Sequence, residues 1–539
     1  MSTRRPIDTP QGDALPRASR RAILKTCAAL GLCAPLTAGP LRSVAAQDVT
    51  PVAGGRITAL TVADPDNLDN HVSLLAQVSQ ITGSICDTLL RLDSTDLQIK
   101  PRLATEWVFS TPTTLDVTLR AGVLFHDGQA LTAEDIKFNL DRVQDPATAS
   151  PRAAELEPID LITVVDDTHL TLTLSRPWPS ILESIAVVPI YPRTATAESL
   201  QIKPIGTGPF RFLEWKPNDY LRLERNPDYW QEGFPYLDEI DFRPVGEAET
   251  RFAMMETQAA DVMFTLPLKN VARAEGNDEL AVHFGAFPNT GDILYVNNSR
   301  APMDNADLRL AVSYAVDRET FFATFLTGYG GKNTSPWVKD HWAYSAINDT
   351  AFTYDLEMAA TYLEKAGYPG GKAADGTQLE INLIYPAGYP EWQQGSVMIQ
   401  AAMKEIGVSV KVEEVELATW IDRIVKTDEY DLSWDFIVSR AVDPATTLNY
   451  AFFYKQGDQN IPRYTDQMLA DLAEEGAGII DQAARKPIYD AWQARWNEVQ
   501  LSIILGDRKE AILAQAKLAG YFPNIGFGND FTTAWIDES

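Results

Sequence analysis

Apolar and polar residues alternate in several short stretches, and each reads as a half-buried strand. Residues 55–61 form the first. In 115–120, Leu115, Val117 and Leu119 share one face, and 169–174 and 209–215 follow the same two-residue period. Helical spacing takes over elsewhere. Thr132 precedes Glu134 and Asp135, an N-cap with acidic residues in the first turn, and Ile136, Phe138, Leu140 and Val143 continue that helix. The turn before it is His126-Asp127-Gly128, where Asp-Gly supplies positive φ cheaply.

Leu308, Ala311, Val312, Ala315, Val316 and Phe322 predict a helix over 307–326, with Gly328, Gly330 and Gly331 as its stop. A strand at 379–384, a helix at 394–406 ended by Gly407, and a strand at 408–412 form a crossover unit. Such a unit favours a parallel sheet and an α/β lobe. Further helices are expected at 467–480 and 483–501, and no repeat or low-complexity tract interrupts the chain.

Composition narrows the class. With 539 residues, 45% hydrophobic and 22% charged, the chain is long enough for two or more lobes and too apolar for disorder. A formal charge of −28 opposes nucleic acid and anionic membrane as partners. Five His and three Cys, without CxxC or HExxH spacing, offer no zinc or haem site, so no cofactor or metal is expected.

The first 46 residues read as an address. Ser19-Arg20-Arg21-Ala22-Ile23-Leu24-Lys25 is followed by an apolar run from Cys27 to Leu36 and by Ser43-Val44-Ala45-Ala46. This order describes a secretory signal, and the arginine pair resembles a twin-arginine signal for export by that machinery. Cleavage is expected after Ala46, leaving a periplasmic protein without a later membrane span. A lipoprotein signal at Cys33 is rejected because Leu32 stands where a small residue is needed. Removal leaves 39 basic against 72 acidic residues, a net −33, and Cys86 as the only cysteine. No internal disulfide can then form.

Leu103-Ala104-Thr105-Glu106-Trp107 leads to a run from Leu119 to Ile136 that contains Phe125-His126-Asp127-Gly128-Gln129. Gly206-Thr207-Gly208-Pro209-Phe210, Arg225-Asn226-Pro227-Asp228-Tyr229-Trp230 and Ala315-Val316-Asp317-Arg318-Glu319 follow in order. This set strongly resembles the family 5 bacterial extracellular solute-binding proteins, the peptide- and nickel-type group serving ABC importers. The resemblance implies an α/β, two-lobed periplasmic binding protein fold with a subdomain inserted in lobe I and a cleft that closes about a hinge. It places lobe I at 47–88, 204–283 and 508–539, the subdomain at 89–203, and lobe II at 284–507. Implied partners are a small solute and the membrane permease, and a monomer is expected.

Candidate ligand residues lie mainly in lobe II. In a strand from Leu432, the residues Trp434, Phe436, Val438 and Arg440 share a face. An arginine ending an apolar face must snorkel, pair with a carboxylate or meet a ligand. Peptide-binding relatives carry an acidic residue four positions before the proline that is Pro444 here, where it pairs with the peptide ammonium. Arg440 reverses that charge and points to an anionic or polyhydroxylated solute. The alternative is internal pairing with Asp443 or Asp435.

Tyr385, Trp420 and Tyr450, with Trp434, are candidate stacking residues, or else core. Asn297, in Tyr295-Val296-Asn297-Asn298, is a candidate hinge or cleft hydrogen-bonder. Gly208 and Gly206 bring backbone close to either a ligand or a tight turn, and His126 reads as a turn or core histidine. The sequence therefore points to a solute-binding, non-enzymatic protein. A secreted hydrolase lacks GxSxG, a metal motif or a paired acidic cluster. A sensor or chaperone on the same fold stays open.

Overall fold

The computed structural model describes residues 51–537, apart from 95, 286–288, 388, 440–441, 449–462, 464–465 and 524–528. Arg56–Thr61 is the central strand of a seven-stranded sheet. It runs parallel to Glu239–Pro244 on one side and Val262–Leu266 on the other. Tyr220–Arg225 and Phe210–Lys216 extend one flank, and Ala511–Gln515 and Leu280–Phe284 the other, all by antiparallel pairing.

Between Arg56–Thr61 and Phe210–Lys216 the chain builds a separate four-stranded antiparallel sheet. Its strands are Ala104–Thr111, Thr114–Leu119, His169–Leu174 and Ile159–Asp166 in spatial order. The alternating Leu115, Val117 and Leu119 are buried against Ile136, Leu140 and Val143, which lie on the helix Ala133–Gln144. That helix starts where Thr132 donates its N–H (3.0 Å) and hydroxyl (2.8 Å) to the Asp135 carboxylate.

The third large sheet has six strands in the order Gly330–Lys332, Ser502–Arg508, Asn289–Val296, Leu432–Ser439, Glu380–Pro386 and Ser409–Val415. The last three run parallel, as the crossover pattern requires. Helices cover both faces. Leu294, Leu383, Leu432 and Trp434 face one core, while Ile293, Tyr295, Ile384, Ile504 and Trp492 face the other. Burial on both faces explains why the run Leu501-Ser502-Ile503-Ile504-Leu505 lacks clean alternation.

The predicted helix over 307–326 is two helices, Ala306–Ala315 and Arg318–Phe325. Asp317 caps the second by accepting from the Thr320 N–H (3.0 Å). The Arg318 guanidinium turns inward to the carbonyls of Ser313 and Ile504 at 2.8 and 3.0 Å. The glycines read as a helix stop do more than end it, since Gly330 and Gly331 belong to an edge strand paired with Arg508 and Asp507. A Cβ at Gly330 would lie 2.4 Å from the Asp507 carbonyl oxygen.

The chain passes between the first and last of these sheets twice, after Phe284 and after Arg508. The two crossings are adjacent: Gly285 donates its N–H to the Glu510 carbonyl at 2.9 Å. Pairing on either side is antiparallel, so two adjacent crossings join the sheets, an arrangement suited to a hinge.

Candidate functional site

Strand register locates the cleft. In lobe I, Leu266 is the partner of Ala511 beside the crossing, so the carboxyl ends of Arg56–Thr61, Glu239–Pro244 and Val262–Leu266 face the hinge. In lobe II, Ser439 pairs with Asn289, which places the carboxyl ends of Leu432–Ser439, Glu380–Pro386 and Ser409–Val415 there too. Open parallel sheets bind ligands at their carboxyl ends. Two such ends confront each other across this hinge.

A cavity of about 500 Å³ bridges the lobes at the hinge, a size suited to a small solute. Thr265–Lys269 line it from lobe I, Phe325, Glu391 and Gln394 from lobe II, and Arg508 and Glu510 from the crossing segment. Arg508 donates to Glu391 at 2.6 Å and approaches Asp292 at 3.7 Å. Burial pushes the carboxyls of Asp292 and Glu510 above their ordinary range.

Away from the hinge the inserted subdomain touches lobe II directly. Glu183, on the helix Ile181–Ala186, accepts from the N–H groups of both Val442 and Asp443, the latter at 2.7 Å. Ser180 donates its hydroxyl to Asp443 at 2.6 Å. Arg485 holds the same carboxylate with two N–H groups, each at 2.6 Å. Leu92 packs against Val442, completing a closed contact between the lobes. Burial, helped by the Asp443 charge, pushes the Glu183 carboxyl well above its ordinary range. Burial also pushes Asp443 upward, but the Arg485 ion pair outweighs it and holds that carboxyl low.

The proposed ligand residues divide against this geometry. Arg440 and Tyr450 lie outside the described residues. Asp443 sits at the lobe contact, engaged by Arg485 and Ser180. Trp434 is fully buried in lobe II, donating to Ser396 at 2.7 Å and stacked on Phe321. Trp420 is buried on the opposite face and donates to Ser433 at 2.8 Å. Tyr385 is near the cleft end of its strand, but is buried with its hydroxyl 3.3 Å from Glu414.

Asn297 is not at the hinge. It follows Val296, which pairs with Leu432 at the far end of the sheet, and its amide donates to the Asp428 and Tyr430 carbonyls. Gly208 serves backbone packing: a Cβ there would lie 2.6 Å from the Ile85 carbonyl oxygen. Its own carbonyl meets His126 Nε2 at 3.0 Å and accepts from Asn226 at 2.9 Å. His126 is thus a half-buried turn histidine tied to the Gly206 and Gly208 backbone.

Glu183 and Arg485 were passed over, though each leaves a trace. Glu183 is the lone charge in Ile181-Leu182-Glu183-Ser184-Ile185-Ala186. Arg485 precedes Tyr489, Trp492 and Trp496 at intervals of four, three and four, a cation at the end of a buried helical stripe.

Two α/β lobes, a two-stranded hinge and a cleft closed by a polar contact define a protein that captures a solute between lobes. The chain belongs to the bacterial extracellular solute-binding proteins, family 5, whose model matches residues 98–459. It is a substrate-binding protein of an ABC-type importer. It is 31% identical over 520 residues to the glutathione-binding protein GsiB of Pectobacterium atrosepticum, covering 92% of this chain and 95% of that one. The binding protein AgaA from A. tumefaciens R10, solved with agropinic acid, superposes with a TM-score of 0.74 at 25% identity, covering 90% of this chain and 99% of that one. CtaP from Listeria monocytogenes gives 0.81 at 20% identity over 90% and 100%. Among the described residues, no helix is long and apolar enough to cross a membrane.

Proposed function

We propose that this chain is exported to the periplasm, where it captures a small acidic, peptide-like solute of the glutathione class for its permease. The observation that carries the solute reading is the 31% identity to a glutathione-binding protein along nearly its whole length. Arg440, a cation where peptide-binding relatives hold an acid, supports an anionic group on the solute. Agropinic acid, in the AgaA complex, is an acid as well. Lobe I at 47–88, 204–283 and 508–539 and lobe II at 284–507 would close on the solute, which touches both only in the closed form.

Glutathione at 100 times its dissociation constant is expected to stabilise the protein by about 2.7 kcal/mol. Thermal melts with glutathione, neutral dipeptides, opines and sugars check this. A shift with neutral dipeptides and none with the acids would overturn the solute reading. Turnover of the bound compound would overturn the binding-only role.

Export rests on Arg20 and Arg21. The double variant Arg20→Lys, Arg21→Lys is expected to leave the full-length chain in the cytoplasm, as read by cell fractionation, with a mature form beginning at Gln47 only in the parent. Unchanged export of the double variant would remove the twin-arginine route.

A further inference from the structure

Most buried arginines of this protein have an evident occupation. Arg309 donates to the Val499 and Met303 carbonyls, Arg251 to those of Val245 and Gly246, and Arg318 to Ser313 and Ile504. Arg152 differs. Its side chain is 4% exposed, and its nearest ionic neighbour is Glu155 Oε2 at 3.8 Å, beyond hydrogen-bond reach. Its buried Nε has no hydrogen-bond partner, which is also true of Arg251 and Arg485, but those two side chains spend their other N–H groups on acceptors. A guanidinium carries five N–H donors, and leaving a buried charge without hydrogen bonds is costly.

Its position gives that orphaned charge a meaning. The Arg152 N–H donates to the Ser150 hydroxyl at 3.2 Å, which in turn donates to the His71 carbonyl at 2.6 Å. His71 is in the loop that leaves the carboxyl end of Arg56–Thr61, the cleft end of lobe I. That loop is held rigidly: Arg142 donates to Asp69 at 3.1 Å and meets His71 Nδ1 at 2.8 Å. His71 Nε2 donates to the Pro189 carbonyl at 2.9 Å. On its other side, Ala153–Leu156 packs against Ile181–Ala186, the helix that carries Glu183 to lobe II. Arg152 therefore stands between a cleft loop and the helix that carries the closing contact.

We propose that Arg152 is a carboxylate-binding residue of the cleft and supplies a bidentate fork to an acidic group of the solute. This rests on the acidic-solute reading above, and it places the recognising cation in lobe I. The solute carboxylate would give the buried Nε the acceptor that it lacks among the described residues.

The test uses the full mature chain, with glutathione and glutathione esterified at its glycine carboxylate or amidated at its glutamyl carboxylate as probes. Calorimetry on the parent, Arg152→Met and Arg152→Lys reads affinity, and melting without ligand reads stability. The parent is expected to prefer glutathione to one of the blocked forms by about 10- to 100-fold, the scale of a charge-assisted pair. Arg152→Met should lose that preference, and Arg152→Lys should retain part of it. The ligand-free melting point of Arg152→Met should equal or exceed that of the parent, because an unpaired buried charge has been removed.

If Arg152→Met melts lower while keeping the preference, Arg152 is structural and the proposal is overturned. If the parent binds neither glutathione nor its blocked forms, the solute reading fails first and this assignment falls with it. These two failures differ in the parent's own isotherm.

Discussion

Arg485→Ala is expected to destabilise the protein by about 3–5 kcal/mol, the usual cost of leaving one partner of a buried ion pair uncompensated. Arg485 is 2% exposed, and it spends two N–H groups on Asp443 and a further contact of 2.8 Å on the Tyr489 hydroxyl. Without it, the Asp443 carboxylate loses the group that outweighs its desolvation. Among the described residues, its remaining donors are the Ser180 hydroxyl and the Ala445 N–H. The double variant Arg485→Met, Asp443→Asn should recover much of the loss, because it removes the buried charge together with its partner. Thermal melting of the two variants beside the parent decides the matter. An Arg485→Ala protein that melts with the parent would show that the pair contributes nothing.

Glu183→Ala should act on closure rather than on folding. In the closed arrangement it strips the acceptor from two backbone N–H groups, at about 1–3 kcal/mol for each buried donor left unsatisfied. When the lobes part, the same groups return to water and the cost vanishes. Solute affinity is therefore expected to fall by roughly 30-fold or more, with little change in the melting of the ligand-free protein. An unchanged affinity would dismiss the Glu183 contact as a determinant of closure.

Titration of Glu183 gives closure a pH dependence. Burial first, then Asp443, raises its pKa in the closed form above the ordinary 4.5. The closed state thus binds a proton more readily than the open one. The contribution is fully present below about pH 4.5 and is lost as pH rises through the raised value. Asp443 works in the opposite sense, since its carboxyl is held low and loses its pairing only in acid. His341, whose Nε2 meets the Val442 carbonyl, is lowered by burial to about 4 and stays neutral across this range. Affinity for a solute whose own charge is constant should therefore decline toward alkaline pH in the parent. It should flatten in Glu183→Gln, which cannot titrate.

Much of the fold was legible along the chain. The strands Thr114–Leu119 and His169–Leu174, the crossover unit and the helix after Thr132 follow from spacing and capping, because these signals are local. The long helix expected over 307–326 failed at Asp317. There a cap and an inward-turned Arg318 mattered more than a continuous apolar stripe, and the Ile504 carbonyl that rewards the turn is distant in sequence. The two readings left open for the aromatic candidates could not be separated along the chain for a related reason: Trp434 and Trp420 have the composition of a binding face as much as of a core. Only the packing of helices on both sides of the lobe II sheet reveals that their rings are enclosed.

Length and alternation were sufficient for a multi-lobed α/β protein, and the motif run from Leu103 to Ile136 carried the resemblance that implied two lobes and solute binding. Alternation and the motif are carried by neighbouring residues, and length is a property of the chain before it folds. The cleft contact could not be read in this way. Glu183 meets Val442 across 259 positions, and Ser180 meets Asp443 across 263. The lone charge in an apolar helix and the cation at the end of a buried stripe acquire their meaning only when the hinge brings them together. The same holds for Arg152: its type and place in the chain are unremarkable, and folding alone buries it beside the cleft with its Nε unpaired.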